Sequence, residues 1–153
     1  MGRSFRLWTW WLVCVAGAAL AFGTAVVFAP VLTGRVFGGL YLSDPGAIAA
    51  FGSGAAHYIA FVTAVMGAVM AGWATAILLV VAFRFRPGNR DAWWVIAGSV
   101  LVWCALDTAY SLQTGFWQNA VFNVGALVLF AIPLAATYRA CNAADAHLTS
   151  AST

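Results

Sequence analysis

Apolar residues fill this chain in four long stretches, and the polar or turn-forming residues fall between them rather than alternating within them. A helix rising about 1.5 Å per residue needs about 20 residues to cross the hydrocarbon of a bilayer. Each stretch meets that length, so the pattern predicts transmembrane helices over about Trp8–Leu32, Ala55–Phe83, Ala92–Leu112 and Phe116–Tyr138. Breakers separate them: Gly34, Gly38 and Gly39 after the first, Pro87 and Gly88 after the second, and Gly115 after the third. The expected fold is an all-α integral membrane protein, a bundle of four transmembrane helices forming one domain over residues 1–140. Residues 141–153, polar and rich in Ser and Thr, are expected to be a cytoplasmic tail.

The second stretch begins earlier than one straight span requires, because apolar character starts at Pro45. Ser43 and Asp44 suit a helix N-cap, Pro45 suits the first helical position, and Gly52-Ser53-Gly54 breaks the pattern. The reading is a short interfacial helix over Pro45–Phe51 ahead of the second span. One long tilted helix is the alternative.

Composition changes the picture by naming the solvent. With 64% hydrophobic and 7% charged residues, the chain has too little polar surface to cover a water-soluble globule. The net charge of +3 comes from arginines placed beside the apolar runs, the pattern of membrane anchoring and not of nucleic-acid binding. Arg3, Arg6, Arg84, Arg86, Arg90 and Arg139 fall in regions that an even number of spans puts on one side, with Arg35 on the other. The positive-inside rule then makes both termini cytoplasmic, in a cell membrane. The absence of Lys and Glu beside abundant Ala is the usage of a GC-rich bacterial genome, so the expected location is a bacterial inner membrane.

A cleavable signal peptide is the competing reading of the first stretch, since Arg3 and Arg6 precede it and Ala19-Leu20-Ala21 resembles a cleavage site. A secretory core is about 7–15 residues and this run continues to Leu32, which favours a retained anchor.

Candidate chemistry rests on the polar residues that lipid should exclude. Asp107 is the one acidic residue inside a predicted span, about 21 Å along the helix from Trp93 and so in the outer half of the membrane. Tyr110 and Ser111 follow at i+3 and i+4. Asn119 and Asn123, one turn apart, lie on the fourth span, which descends from the same surface. His57 lies near that surface on the second span. His57, Asp107, Tyr110, Ser111, Asn119 and Asn123 are therefore the candidate ligand-binding residues, expected to line a polar pocket for a lipid or small apolar ligand. This makes a small-molecule or lipid-binding, transport-related protein the leading expectation. A membrane enzyme acting on a lipid or isoprenoid with a His57–Asp107 acid–base pair is a second class, and a structural or accessory subunit held together by polar contacts a third.

Cys14, Cys104 and Cys141 have no metal-ligand spacing and read as packing residues, and His57 and His147 are expected at opposite surfaces, so neither a metal nor a cofactor is expected. Small residues one turn apart, Gly67 with Ala71, Gly72 with Ala76 and Gly17 with Ala21, let helices approach closely. A homo-oligomer joined through such faces is a partner the sequence allows besides the lipid bilayer.

Overall fold

The computed structural model describes residues 2–142, and every described element is helical: α1 Arg3–Phe28, α2 Pro30–Leu42, α3 Ala47–Ala50, α4 Ser53–Phe83, α5 Arg90–Gln113 and α6 Trp117–Asn142. α1, α4, α5 and α6 are long and apolar enough to cross a membrane, the make-up of a multi-pass membrane protein. Their outward surface is correspondingly apolar, with Phe28, Met66 and Leu106 among the exposed side chains. His147 and the rest of the expected tail from residue 143 lie outside the described residues; Cys141 and Asn142 are the last residues of α6.

The chain divides into two compact units. Of the described residues, the first comprises 2–16 with 76–142, and the second 17–75. α1 and α4 run through both.

In the first unit, α5 and α6 form an antiparallel helical hairpin. α5 begins where the Asn89 side chain accepts the Ala92 N–H at 3.0 Å, satisfying one of the donors that a helix start leaves bare. It ends in a Schellman motif: the Phe116 N–H reaches the Ser111 carbonyl at 2.8 Å and the Gly115 N–H that of Leu112 at 3.3 Å. Gly115 has φ +85°, a left-handed conformation that side chains other than glycine adopt at a cost. The start of α1 packs into the same unit, with Leu12 and Ala16 fully buried and Phe5 stacked on Phe85 at 5.4 Å. The far end of α6 is tied to the α4–α5 loop by the Gly88 N–H donating to the Ala140 carbonyl at 2.9 Å.

Pro133 lies inside α6 and cannot donate to the carbonyl four residues back. Such a proline is tolerated at membrane depth when a neighbour satisfies the freed oxygen. Here the indole N–H of Trp11 donates to the Leu129 carbonyl at 2.9 Å. Trp93 binds the Leu134 carbonyl at 2.8 Å on the other side of the proline, and the Thr137 hydroxyl donates to the Pro133 carbonyl at 2.7 Å.

In the second unit, α1 and α4 cross at Gly23 and Gly67. A Cβ added to either would come within 2.7 Å of the other's carbonyl oxygen, so the backbones touch because neither residue has a side chain. The Gly67–Ala71 pair predicted from the sequence takes part in this contact, since the Ala71 amide also faces Gly23.

The first predicted span differs from the structure. α1 stops at Phe28 and a separate helix, α2, starts at Pro30. Ala29, preceding a proline, is pushed out of the helical region to φ −123°, ψ 55°, which ends one helix and begins the next. Gly34, Gly38 and Gly39, expected as a loop, are inside α2. At Gly38 the missing side chain lets the chain fold back, since a Cβ there would lie 2.7 Å from the Asp44 carbonyl. The segment expected as a helix over 45–51 contains α3, a single turn over Ala47–Ala50 closed by Gly52 at φ +90°. Asp44 serves it from outside, its carboxylate accepting the Gly46 N–H at 2.8 Å.

Candidate functional site

The polar residues of α5 and α6 gather at the turn end of the hairpin. Asp107, Thr108 and Ser111 lie within one turn of each other, while Asn119 and Asn123 are one turn apart on α6, so the antiparallel pairing sets the two groups face to face. By helical rise Asp107 is about 9 Å from the end of α5 at Gln113 and about 26 Å from Arg90.

Three of these side chains form a closed hydrogen-bonded set. The Asn119 amide nitrogen donates to Asp107 Oδ1 at 2.9 Å and to Ser111 Oγ at 2.8 Å. Ser111, which is buried, has one hydroxyl hydrogen to give, and its Oγ lies 2.7 Å from the Asp107 carbonyl and 3.3 Å from Oδ1. Asp107 Oδ1 is thus approached by donors from both helices.

One turn deeper, Asn123 is fully buried. Its amide nitrogen donates to Thr108 Oγ1 at 3.3 Å, and the Cys104 thiol lies 3.8 Å from that hydroxyl and 3.9 Å from the Asn123 carbonyl. Among the described residues, Asn123 Oδ1 has no hydrogen-bond partner and neither has the buried Oε1 of Gln118. Buried acceptors of this kind carry a desolvation cost unless something donates to them. The seam therefore offers oxygen acceptors in excess of donors.

Of the residues predicted from the sequence, the structure joins Asp107, Ser111 and Asn119 directly and places Asn123 beside them. Tyr110 stands apart: it is 68% exposed, because the i+4 position keeps Ser111 on the seam with Asp107 while the large ring at i+3 turns off it. His57 lies in the second unit, exposed, in the second turn of α4. Thr108, Gln118 and the contact of Cys104 were missed. Counting outward from Gly115 along both helices brings Thr108 opposite Asn123, a signal the sequence holds once the turn is fixed. Gln118 has no such signal beyond its place between Trp117 and Asn119.

Among the described residues no group of three or more His, Cys, Asp or Glu side chains is placed to hold a metal ion. No protein-family model, curated protein or solved structure matches this chain. What the site does has to be read from its own atoms.

Proposed function

We propose that the protein is a small-molecule or lipid-binding membrane protein, related to transport, whose polar seam between α5 and α6 receives the polar end of an amphiphilic ligand in the outer half of the bilayer. The observation that carries this reading is the pair of buried oxygens left without donors, Asn123 Oδ1 and Gln118 Oε1, at the same end of the hairpin as the Asp107 carboxylate. Carboxyl groups at membrane depth are rare and ordinarily serve a pathway or a site. Acceptors in excess favour a ligand that brings donors, such as an ammonium or hydroxyl headgroup on an apolar body. The arginine distribution puts the seam on the side opposite the termini, away from the cytoplasm.

A second reading is favoured by the closed Asn119–Ser111–Asp107 set, which is what polar contacts that fasten membrane helices look like, each worth about 0.6–2 kcal/mol. One experiment separates the two. Dodecylamine and dodecanoate are titrated into the detergent-purified protein while thermal unfolding is followed. Binding predicts that the amine raises the melting temperature, that the carboxylate does not, and that Asp107→Asn, which keeps the volume, removes the amine effect with folding retained. If neither amphiphile shifts the wild type and Asp107→Asn only lowers its melting temperature, the seam is a fastening and the proposal fails.

A further inference from the structure

α2 is a helix of 13 residues outside the four spans, and its two halves are unlike. At about 100° per residue, Val31, Leu32, Val36 and Leu40 fall within one half of its circumference, and each is between 47% and 72% exposed. Arg35, also exposed, stands inside this apolar half. Thr33 and Gly38 are buried in the other half, where the rings of Phe37 and Tyr41 meet at 5.5 Å. The chain covers that half itself, since the Asp44 N–H donates to the Gly38 carbonyl at 3.2 Å and the Asp44 carbonyl takes the place of a side chain at position 38.

α1 leaves α2 no thickness to cross. From Arg6 to Phe28 it rises about 33 Å, which spans a hydrocarbon core of about 30 Å even at the common tilt of about 20°. With Arg3 and Arg6 at one surface, Phe28 arrives at the other. The chain changes course there, because Ala29 at φ −123°, ψ 55° departs from the helical values before and after it. Continued straight, α2 would carry four large apolar side chains about 20 Å into water. Folded back into the core, it would take the Arg35 charge into lipid. The boundary between headgroups and acyl chains meets both demands, since apolar side chains sink there while an arginine snorkels outward.

We propose that α2 lies along the membrane surface opposite Arg3 and Arg6, with Val31, Leu32, Val36 and Leu40 sunk among the upper acyl chains and Arg35 reaching to the phosphates. The occupant of this face is the lipid leaflet, and α2 is the interfacial helix of the protein, a place that the single turn α3 is too short to fill. The assignment rests on α1 as a membrane span and not on the polar seam.

The test reads depth. Cys14, Cys104 and Cys141 are replaced by alanine, and Val31→Cys, Val36→Cys, Leu40→Cys and, as a control in α4, Val69→Cys are spin-labelled one at a time in phosphatidylcholine nanodiscs. Collisions with oxygen and with a water-soluble nickel chelate give the depth of each label. The three α2 labels should lie at similar depths, about 5–10 Å below the headgroups, with Val69 far deeper. A helix crossing the leaflet would instead spread them over about 13 Å. In Arg35→Leu the label at position 36 should sink by on the order of a few Å as the charge that holds the helix shallow is lost. In the otherwise native chain, benzoylphenylalanine at position 36 should crosslink to lipid, a readout that does not depend on the cysteine-free background. A spread of about 13 Å, labels open to the chelate, labels shielded from both reagents, an unchanged depth in Arg35→Leu, or crosslinks to protein would each overturn the assignment. A Val69 label open to the chelate would overturn it together with the membrane reading beneath it.

Discussion

Trp11 supplies the hydrogen bond that Pro133 withholds from Leu129: its indole N–H lies 2.9 Å from the carbonyl oxygen that a normal residue at position 133 would have satisfied within α6. A helix with a proline in apolar surroundings is left with a bare acceptor, and in this chain a residue near the start of α1 covers it.

The first prediction follows from that pairing. Trp11→Phe keeps most of the ring but removes the donor, and should lower stability by about 1–3 kcal/mol as the Leu129 carbonyl loses its partner. In a Pro133→Ala background the residue at 133 regains its N–H, and the same Trp11→Phe change should then cost markedly less. Reversible unfolding of the four proteins in mixed micelles measures the coupling, and additive effects would show that the proline is not what the tryptophan serves.

The second prediction concerns the crossing of α1 and α4. Gly23→Ala and Gly67→Ala each push a methyl against backbone, and should cost about 1–3 kcal/mol because backbone cannot swing aside as a side chain can. Gly72→Ala and Gly125→Ala meet nothing within 4 Å and should be neutral or stabilising by about 0.5–1 kcal/mol through helix propensity. Melting temperatures of the four variants in one detergent decide it.

The third prediction uses Asn123, which is fully buried with Oδ1 unpaired. Asn123→Leu keeps the branched shape and heavy-atom count while removing the unpaired Oδ1 together with the 3.3 Å bond to Thr108, so stability should stay within about 1 kcal/mol of wild type. If the proposed binding reading holds, the dodecylamine shift should shrink in the same variant, because one of the free acceptors has gone. A variant that is as stable as wild type and responds fully to the amine would remove Asn123 from the site.

The long helices were legible because lipid imposes one rule, a run of apolar residues long enough to cross, and α4, α5 and α6 begin and end within a few residues of the predicted spans. The rule does not see hydrogen bonds that depend on a single peptide. Pro30 sits in the middle of an apolar run, and only the steric demand it makes on Ala29 reveals that α1 has ended. The polar seam was legible in Asp107, Ser111 and Asn119 because helical spacing puts them on facing stripes. Tyr110 was assigned to the same stripe on spacing alone, and its exposure shows that a bulky ring at i+3 departs from it. Thr108 and the contact of Cys104 with Asn123 escaped because they depend on the register of the hairpin, which Gly115 and the Schellman turn fix.

Position along the chain gives the Trp11–Leu129 bond a meaning for biosynthesis. α1 is synthesised before α6, so the Leu129 carbonyl that Pro133 leaves bare meets a donor already made, the indole of Trp11. A bond between residues 118 positions apart thus makes the integrity of α6 around its proline depend on the presence of α1.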